Sequence, residues 1–433
     1  MNKIGELHYQ WVQRRKSSTP FRPETRPEDS DYNLHYVDVE PASKGGLEYE
    51  MVCHEAMQQH PLGKVRPNLF PVFGARVAGS LLGGAIGDAL GARVRADEID
   101  AIRQRFGKNL VFELGFMAEP EFAFTEHTQL ALFAWESSIR ARVGARLNGT
   151  GVADVLSAAQ HGAQRWACTQ GVPWQQAAGP YGRFAEPDGW LVREGRLFSR
   201  RGDSGVVVDS ALQFASSGVR GALDNPVRTA RGPHALAGAS AVALAPHDPQ
   251  RVFDEAVRVA MLTHSSSDDC LPAGVFASVL NSLYYEVPFA ESVEAAYEYL
   301  VQWGGHEETK RVLDVVRTAP SEEGEVPPAR AEEWFGPGRS GAEVLGYGLW
   351  AAALSDYTRE GILFAVNQSG DSAGSGFVVG ALTGAAYGDH QLPYWPHERL
   401  ELKDTITTLA HDAVTEFDEP PTDPTWFQRY PGW

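Results

Sequence analysis

Two segments of this 433-residue chain repeat glycine at intervals of four residues. The first row is Gly79, Gly83, Gly87 and Gly91, and the second is Gly376, Gly380, Gly384 and Gly388. In a helix, this interval places the glycines of a row on one face. Each interior glycine costs about 1 kcal/mol relative to alanine, which close backbone-to-backbone packing offsets. The rows therefore predict two central helices, at about 76–91 and 376–388, that cross through their glycine faces.

The rest of the apolar pattern is also helical, with apolar residues three and four positions apart. Such segments occupy residues 128–142, 249–262, 272–283, 292–303, 342–354 and 405–414. Alternation typical of strands is confined to residues 190–199 and 206–208. The sequence therefore predicts an all-α fold.

Composition and charge narrow the class of protein. Hydrophobic residues make up 43% of the chain and charged residues 22%, as in soluble globular proteins. We find no apolar run long enough for a membrane span and no secretory leader, and the three cysteines form no paired motif. A cytoplasmic protein without membrane contact is expected. A net charge of −18 argues against nucleic-acid binding.

The chain divides into three parts by composition. Residues 1–74 form an irregular N-terminal extension, because their Pro-rich stretch at 17–30 lacks apolar periodicity. Residues 75–418 form the helical domain, and residues 419–433 form a Pro- and aromatic-rich C-terminal tail. Aromatic side chains in the extension predict that it lies along the domain. Two interpretations stay open, a stabilising wrap and an arm that covers the site or binds a protein partner.

Five segments, in this order, resemble the motifs of one known family. They are AGSLLGGAIGDALG at 78–91, TEHTQLAL at 125–132, LTHSS at 262–266, EVLGYGL at 343–349 and GDSAGSG at 370–376. Together they resemble the ADP-ribosyl-acceptor hydrolases, or ADP-ribosylglycohydrolases, which include the dinitrogenase-reductase-activating glycohydrolases. The resemblance implies a compact orthogonal helical bundle. It also implies that the ligand is ADP-ribose or an ADP-ribosylated protein or small molecule.

The resemblance further implies a site for two Mg²⁺ or Mn²⁺ ions, which require oxygen ligands. The positions that match the family's ligands are Thr125, Glu126, His127 and Asp371. His127 stands where the family has an aspartate, and imidazole suits Zn²⁺ or Ni²⁺ better than Mg²⁺.

Three further positions depart from the family's pattern. Ala373 and Gly374 stand where the family has Asp and Thr, and Arg95, two residues after Arg93, replaces an expected Glu. Two ligands are lost and a cation is added. Occupancy by two metal ions is therefore not expected.

By the same resemblance, Glu126 and Asp371 are the predicted catalytic residues. The predicted substrate-binding residues are His264, Arg95, Ser372 and Ser375. Each of these assignments has a structural alternative. Asp371, Thr125 and Glu126 could cap helices. The histidines could be ordinary buried side chains, and Arg95 could be a solvated charge.

Three functions are consistent with these motifs. The chain could cleave a ribosyl linkage with an altered metal site, or it could be an inactive relative that binds ADP-ribosyl groups as an immunity or regulatory protein. It could also hydrolyse a related N-ribosyl small molecule. In the second case, Arg95 would supply the positive charge that metal ions supply elsewhere, and ADP-ribose would bind without them.

Overall fold

The computed structural model describes residues 73–95, 97–106, 121–183, 185–227, 231–246, 248–318, 328–355 and 357–432. Across these ranges the regular structure is helical, apart from isolated bridges between Phe122 and Leu400 and between Ala222 and Asn225. The predicted all-α fold is confirmed. Nearly all of the predicted extension, residues 1–72, lies outside the described residues.

The α-helices are numbered in chain order. They are α1 Phe73–Gly91, α2 Ile99–Phe106, α3 Glu126–Leu147, α4 Val155–Thr169, α5 Trp174–Ala177, α6 Gly205–Ser217, α7 His234–Ala239, α8 Pro249–Met261, α9 Ser267–Tyr284, α10 Phe289–Leu300, α11 Glu307–Thr318, α12 Pro328–Phe335, α13 Gly341–Leu354, α14 Thr358–Val366, α15 Ser372–Tyr387, α16 Tyr394–Glu398, α17 Lys403–Phe417 and α18 Pro424–Arg429. Short 3₁₀ turns lie at 179–181, 191–193, 195–197, 240–244 and 389–391.

The two glycine rows meet in the centre of the molecule, as predicted. The helices α1 and α15 run antiparallel, with Gly79 on Gly384, Gly83 on Gly380 and Gly87 on Gly376. A Cβ atom at any of these positions would lie under 3.0 Å from backbone of the other helix. The last glycine of the second row, Gly388, follows α15 and has φ 82°. Because glycine has no side chain, the backbones of α1 and α15 approach more closely here than any larger residue would allow.

Several helix boundaries differ from the prediction. The helix predicted at 272–283 is α9 and begins at Ser267, because Pro272 lies inside it rather than at its start. Its N-cap is Ser266, whose hydroxyl accepts a hydrogen bond from the Asp268 N–H at 3.3 Å. The alternating segment at 190–199 contains the two 3₁₀ turns at 191–193 and 195–197. Their tight backbone explains an apolar spacing that resembled a strand.

The C-terminal residues pack on the domain. The short helix α18 lies in the predicted tail, and Tyr430 after it is fully buried, with its hydroxyl 2.6 Å from Asp412 Oδ2. The Arg146 guanidinium pairs with Glu416 at 2.7 Å near the end of α17. Over the described ranges, no helix combines the length and the apolar character that crossing a bilayer requires.

The buried carboxylate of Asp269 joins three segments. Its oxygens accept hydrogen bonds from the Gly341 N–H at 2.8 Å and from the Gly232 N–H at 3.1 Å. These bonds connect α9 to the start of α13 and to the segment before α7. Burial raises the pKa of Asp269 to about 6, although both N–H donors and nearby Arg231 oppose the rise.

This raised pKa predicts a pH dependence of stability. The folded state holds the Asp269 proton to about pH 6, whereas the ordinary pKa is 3.8, so the folded state binds more protons between these values. The contribution of Asp269 to the free energy of unfolding is fully present below pH 3.8 and is lost as the pH rises to about 6. Its size is on the order of 3 kcal/mol. Urea unfolding across this interval should show the slope, and Asp269→Asn should flatten it. An unchanged slope in the variant would contradict the assignment.

Candidate functional site

The Asp88 carboxylate fixes the start of α3 against the end of α1. It is fully buried and accepts four hydrogen bonds, from the N–H and hydroxyl groups of Thr125 and Thr128. Burial raises the pKa of Asp88, whereas the charge of His127, both threonine hydroxyls and the Thr128 N–H oppose that rise because they favour the charged form. The Thr125 hydroxyl, a predicted metal ligand, therefore donates to Asp88 at 2.7 Å and also caps α3.

The first turn of α3 meets the start of α15 through a histidine–carboxylate pair. His127 Nε2 lies 2.9 Å from Asp371 Oδ2, and both side chains are buried. The other oxygen of Asp371 accepts a hydrogen bond from the Gly374 N–H at 2.9 Å, which caps α15. Asp371 therefore caps its helix, as the structural alternative proposed, and also takes part in the cluster.

Arg95 joins the two predicted catalytic carboxylates. Its Nη1 lies 2.7 Å from Glu126 Oε1, and its Nη2 lies 3.1 Å from Asp371 Oδ2. The Arg95 side chain is 21% exposed, whereas Glu126 is completely buried. Neighbouring Arg93 is directed elsewhere, with its guanidinium 5.6 Å from the centre of the Phe122 ring. Arg95 is therefore a partner of both carboxylates and not a solvated charge.

His234, which no motif indicated, completes the cluster. Its Nε2 lies 3.0 Å from Glu126 Oε1, and its ring stacks on His127 with centroids 4.9 Å apart and planes 10° apart. His234 begins the six-residue helix α7, a segment too short for a periodic signal. Only the tertiary packing of α7 against α3 reveals this residue.

His264 extends the row of imidazole rings. Its centroid lies 6.4 Å from that of His234, and its Nδ1 lies 2.8 Å from the Thr263 hydroxyl. Burial lowers the pKa of His264 to about 3, so this ring is neutral near pH 7. His264 therefore lies beside His234, while its contact with a ligand stays a prediction.

Ser372 and Ser375 lie in the first turn of α15 and are fully buried. The Ser372 hydroxyl donates to the Gln368 carbonyl at 3.1 Å. The Ser375 hydroxyl accepts from the Gln368 side-chain amide at 2.7 Å. These bonds connect the serines to the segment before α15, and the structure places neither hydroxyl in the carboxylate–histidine cluster. Their role in substrate binding stays a prediction.

The charged groups of the cluster shift the pKa values of one another. Burial alone would raise the pKa of Glu126, but the hydrogen bond from His234 and the charges of His127 and Arg95 lower it to about 2. Against the same burial effect, His127 and Arg95 also hold the pKa of Asp371 below its usual range. Burial opposes the charged form of His127, yet Asp371 and Glu126 raise its pKa. Two carboxylates thus face the guanidinium of Arg95 and the imidazole of His127, whose protonated form they favour.

This set of side chains does not fit a pair of Mg²⁺ ions. Mg²⁺ prefers six oxygen ligands, whereas the fully buried Ala373 offers a methyl group and Gly374 lies against the His127 ring. The guanidinium of Arg95 also pairs with both carboxylates. Glu126, His127 and His234 do offer three possible ligand atoms within 4.8 Å of one another. Two nitrogens and one oxygen suit a single transition-metal ion rather than two Mg²⁺ ions.

A loop of residues 199–204, called the cover loop, lies over this cluster between the 3₁₀ turn at 195–197 and α6. At its centre, a Cβ atom on Gly202 would lie under 3.0 Å from the Glu126 carboxylate and the Arg95 guanidinium. The Gly202 backbone therefore rests directly on both groups. Only the small size of glycine at this position permits that contact.

Comparison with known proteins agrees with the motifs. The profile of the ADP-ribosylglycohydrolase family matches residues 71–422. A solved structure described as an ADP-ribosylglycohydrolase-related protein complex is similar with a TM-score of 0.52 and 20% identity. The match covers 80% of this chain and 98% of that chain, and at this identity it supports the fold alone. A comparison with curated proteins gave no match.

The family profile spans most of the chain and includes every segment on which the resemblance rests. The helical architecture agrees with it independently, because the glycine crossing places the first and last motifs side by side. This chain therefore belongs to the ADP-ribosylglycohydrolase family.

Proposed function

We propose that this chain recognises ADP-ribose or an ADP-ribosylated molecule through a site in which protein cations replace the two metal ions. The observation that carries the proposal is Arg95, whose guanidinium pairs with Glu126 at 2.7 Å and with Asp371 at 3.1 Å. An arginine presents a planar set of donors that suits diphosphate and ribose oxygens. The row of His127, His234 and His264 adds imidazole groups beside it.

Cleavage of a ribosyl bond is expected to be weak in this site. A divalent ion activates water and polarises the ribosyl oxygen, whereas a guanidinium hydrogen-bonds and offsets charge. The pKa of Glu126 is lowered to about 2, and that of Asp371 lies below its usual range, so neither carboxyl holds a proton near pH 7. Neither is therefore suited to act as a general acid. Binding without efficient hydrolysis is the function that this arrangement favours.

Calorimetric titration of the full chain with ADP-ribose tests this proposal. We expect saturable binding whose affinity is the same in millimolar Mg²⁺ and in EDTA. Binding that requires Mg²⁺, hydrolysis abolished by chelation, or two ordered ions beside Asp371 would contradict the replacement of the metals. No binding under either condition would contradict ADP-ribose recognition itself.

Two histidine variants test in the same titration whether ADP-ribose binds beside His264, with His390 as the control. His264→Ala should weaken ADP-ribose binding because His264 extends the imidazole row of the site. His390→Ala should leave it unchanged, since His390 is 52% exposed and follows the residues that meet Gly79, at the opposite end of α1 from Arg95. Equal effects of the two substitutions would count against a role for His264.

A further inference from the structure

The cover loop is held in place by an ion pair adjacent to Gly202. The Arg201 guanidinium pairs with both carboxylate oxygens of Glu401, with Nη2 2.7 Å from Oε1. It also lies 4.4 Å from the centre of the Phe124 ring and donates to the Phe124 carbonyl at 3.2 Å. Both charged side chains are nearly buried, with 8% and 11% exposed. A bidentate pair with this little exposure holds the loop more strongly than an exposed surface ion pair would.

Buried amide groups hold the ends of the loop. The Gln129 side-chain amide donates to the carbonyls of Leu197 at 2.6 Å and Ser199 at 3.2 Å. On the far side of Gly202, the Ser204 hydroxyl donates to the Gln170 side-chain carbonyl at 3.4 Å. The ends are therefore attached by neutral hydrogen bonds. The middle is held by Arg200, whose Nε donates to the Gln170 carbonyl at 3.0 Å, and by Arg201, which pairs with Glu401 and also donates to the Arg196 carbonyl at 2.8 Å. Of these contacts, the Arg201–Glu401 pair is the ion pair, and it lies directly beside Gly202.

Gly202 covers one oxygen of the Glu126 carboxylate, Oε2. Within the part of the chain that the structure describes, Glu126 Oε2 is buried and accepts no hydrogen bond. The same carboxylate is paired through Oε1 with Arg95 and His234, so Oε2 is its remaining acceptor. Moving the loop would open this oxygen to water or to a hydroxyl of a bound ligand. The loop therefore covers an acceptor that a ligand could use.

We propose that Gly202 closes the site and that the Arg201–Glu401 ion pair holds it closed, so that a ligand enters only when the cover loop moves away. Arg201 and Glu401 are then positioning residues, which control access without belonging to the cluster. For ADP-ribose as the ligand, the inference rests on the proposed function. For the motion of the loop itself, it rests on the contacts of Gly202 and Arg201 alone.

Hydrogen exchange of the full chain, without ligand, tests the loop. Glu401→Gln removes the charge of the pair and keeps the size of the side chain. We expect amides in residues 197–205 to exchange about tenfold faster or more, as loss of a charged hydrogen-bonded pair implies. The matched control is Glu294→Gln, which breaks the bidentate Arg317–Glu294 pair, at 2.8 Å, between α10 and α11. That control should leave the exchange of residues 197–205 unchanged.

Two further variants test the same contact if Glu401→Gln does not fold. Arg201→Lys keeps the charge but loses the bidentate geometry, so it should speed the same exchange to a smaller extent. Gly202→Ala adds a Cβ atom that the closed loop cannot accommodate, so it should also speed it. Wild-type exchange in folded Glu401→Gln and Arg201→Lys would overturn the proposal.

Stopped-flow mixing with ADP-ribose then separates the two proposals. Faster association in Glu401→Gln than in the wild type, with Glu294→Gln at the wild-type rate, is the result expected if the loop controls access. Faster hydrogen exchange with no ADP-ribose binding to any variant would keep the loop proposal and contradict the proposed function. An unchanged association rate despite faster exchange would show that ADP-ribose does not pass the cover loop, and would contradict its role in access.

Discussion

Replacing Gly87 by alanine is expected to lower the free energy of unfolding by about 4 kcal/mol or more, among the largest effects of a single substitution. The added Cβ would lie under 3.0 Å from the carbonyl carbon and oxygen of Gly376. These are backbone atoms in the second turn of α15, so no side-chain rotation relieves the contact. Relief requires the two helices to separate, which would open the glycine crossing in the core. Urea unfolding followed by circular dichroism measures the loss.

A matched glycine shows whether this effect comes from the crossing. Gly238 also lies inside a helix, α7, and a Cβ atom there would meet nothing within 4 Å. Gly238→Ala should therefore change stability by no more than about 1 kcal/mol, in the stabilising direction, because alanine favours helix. Equal destabilisation by the two substitutions would refute the packing argument.

Replacing Arg95 by alanine is expected to have the largest effect among the site residues. It removes the guanidinium from Glu126, which is completely buried, and from Asp371, which is 10% exposed. Breaking a buried ion pair by deleting one partner costs about 3–5 kcal/mol, because the remaining charge stays without compensation. Thermal and urea unfolding should both show this loss. Wild-type stability in the variant would mean that Arg95 does not neutralise the two carboxylates.

The same variant should acquire a metal-binding property. Once the guanidinium is gone, the possible ligand atoms of Glu126, His127 and His234 lie within 4.8 Å of one another with no competing cation from Arg95. We expect Zn²⁺ to raise the melting temperature of Arg95→Ala, while Mg²⁺ does not, because two of the three ligands are nitrogen. The double variant Arg95→Ala, His234→Ala should lose this response. Equal stabilisation of the wild type by Zn²⁺ would contradict the idea that Arg95 excludes the metal.

The features that the sequence predicts best are those with a local physical cause. In a helical protein, glycines at intervals of four indicate a close contact with another helix, and the crossing of α1 and α15 confirms it. The departures at Arg95 and His127 are equally visible in the sequence, and the structure adds their contact with Asp371. Pro272 is the counterexample, because tertiary packing keeps it inside α9 and overrides its local preference.

The remainder of the site depends on long-range packing and gives no local signal. His234 reaches Glu126 from a helix of six residues, and Gly202 reaches the same carboxylate from a loop. The Arg201–Glu401 pair joins positions 200 residues apart, and neither residue belongs to a recognised motif. Side chains of this kind are found only when the fold brings them together.

The antiparallel crossing of α1 and α15 has a consequence for folding during synthesis. Arg95 follows the end of α1 and Asp371 precedes the start of α15, which meet at the same end of this crossing, yet the two residues are 276 positions apart in sequence. A ribosome makes α1 long before α15, so the glycine face of α1 has no partner until the final part of the chain emerges. Contacts between such distant segments form slowly, because the entropy of closing the intervening chain opposes them. The core and the site should therefore be completed together and late, and nascent chains that end before residue 372 should possess neither.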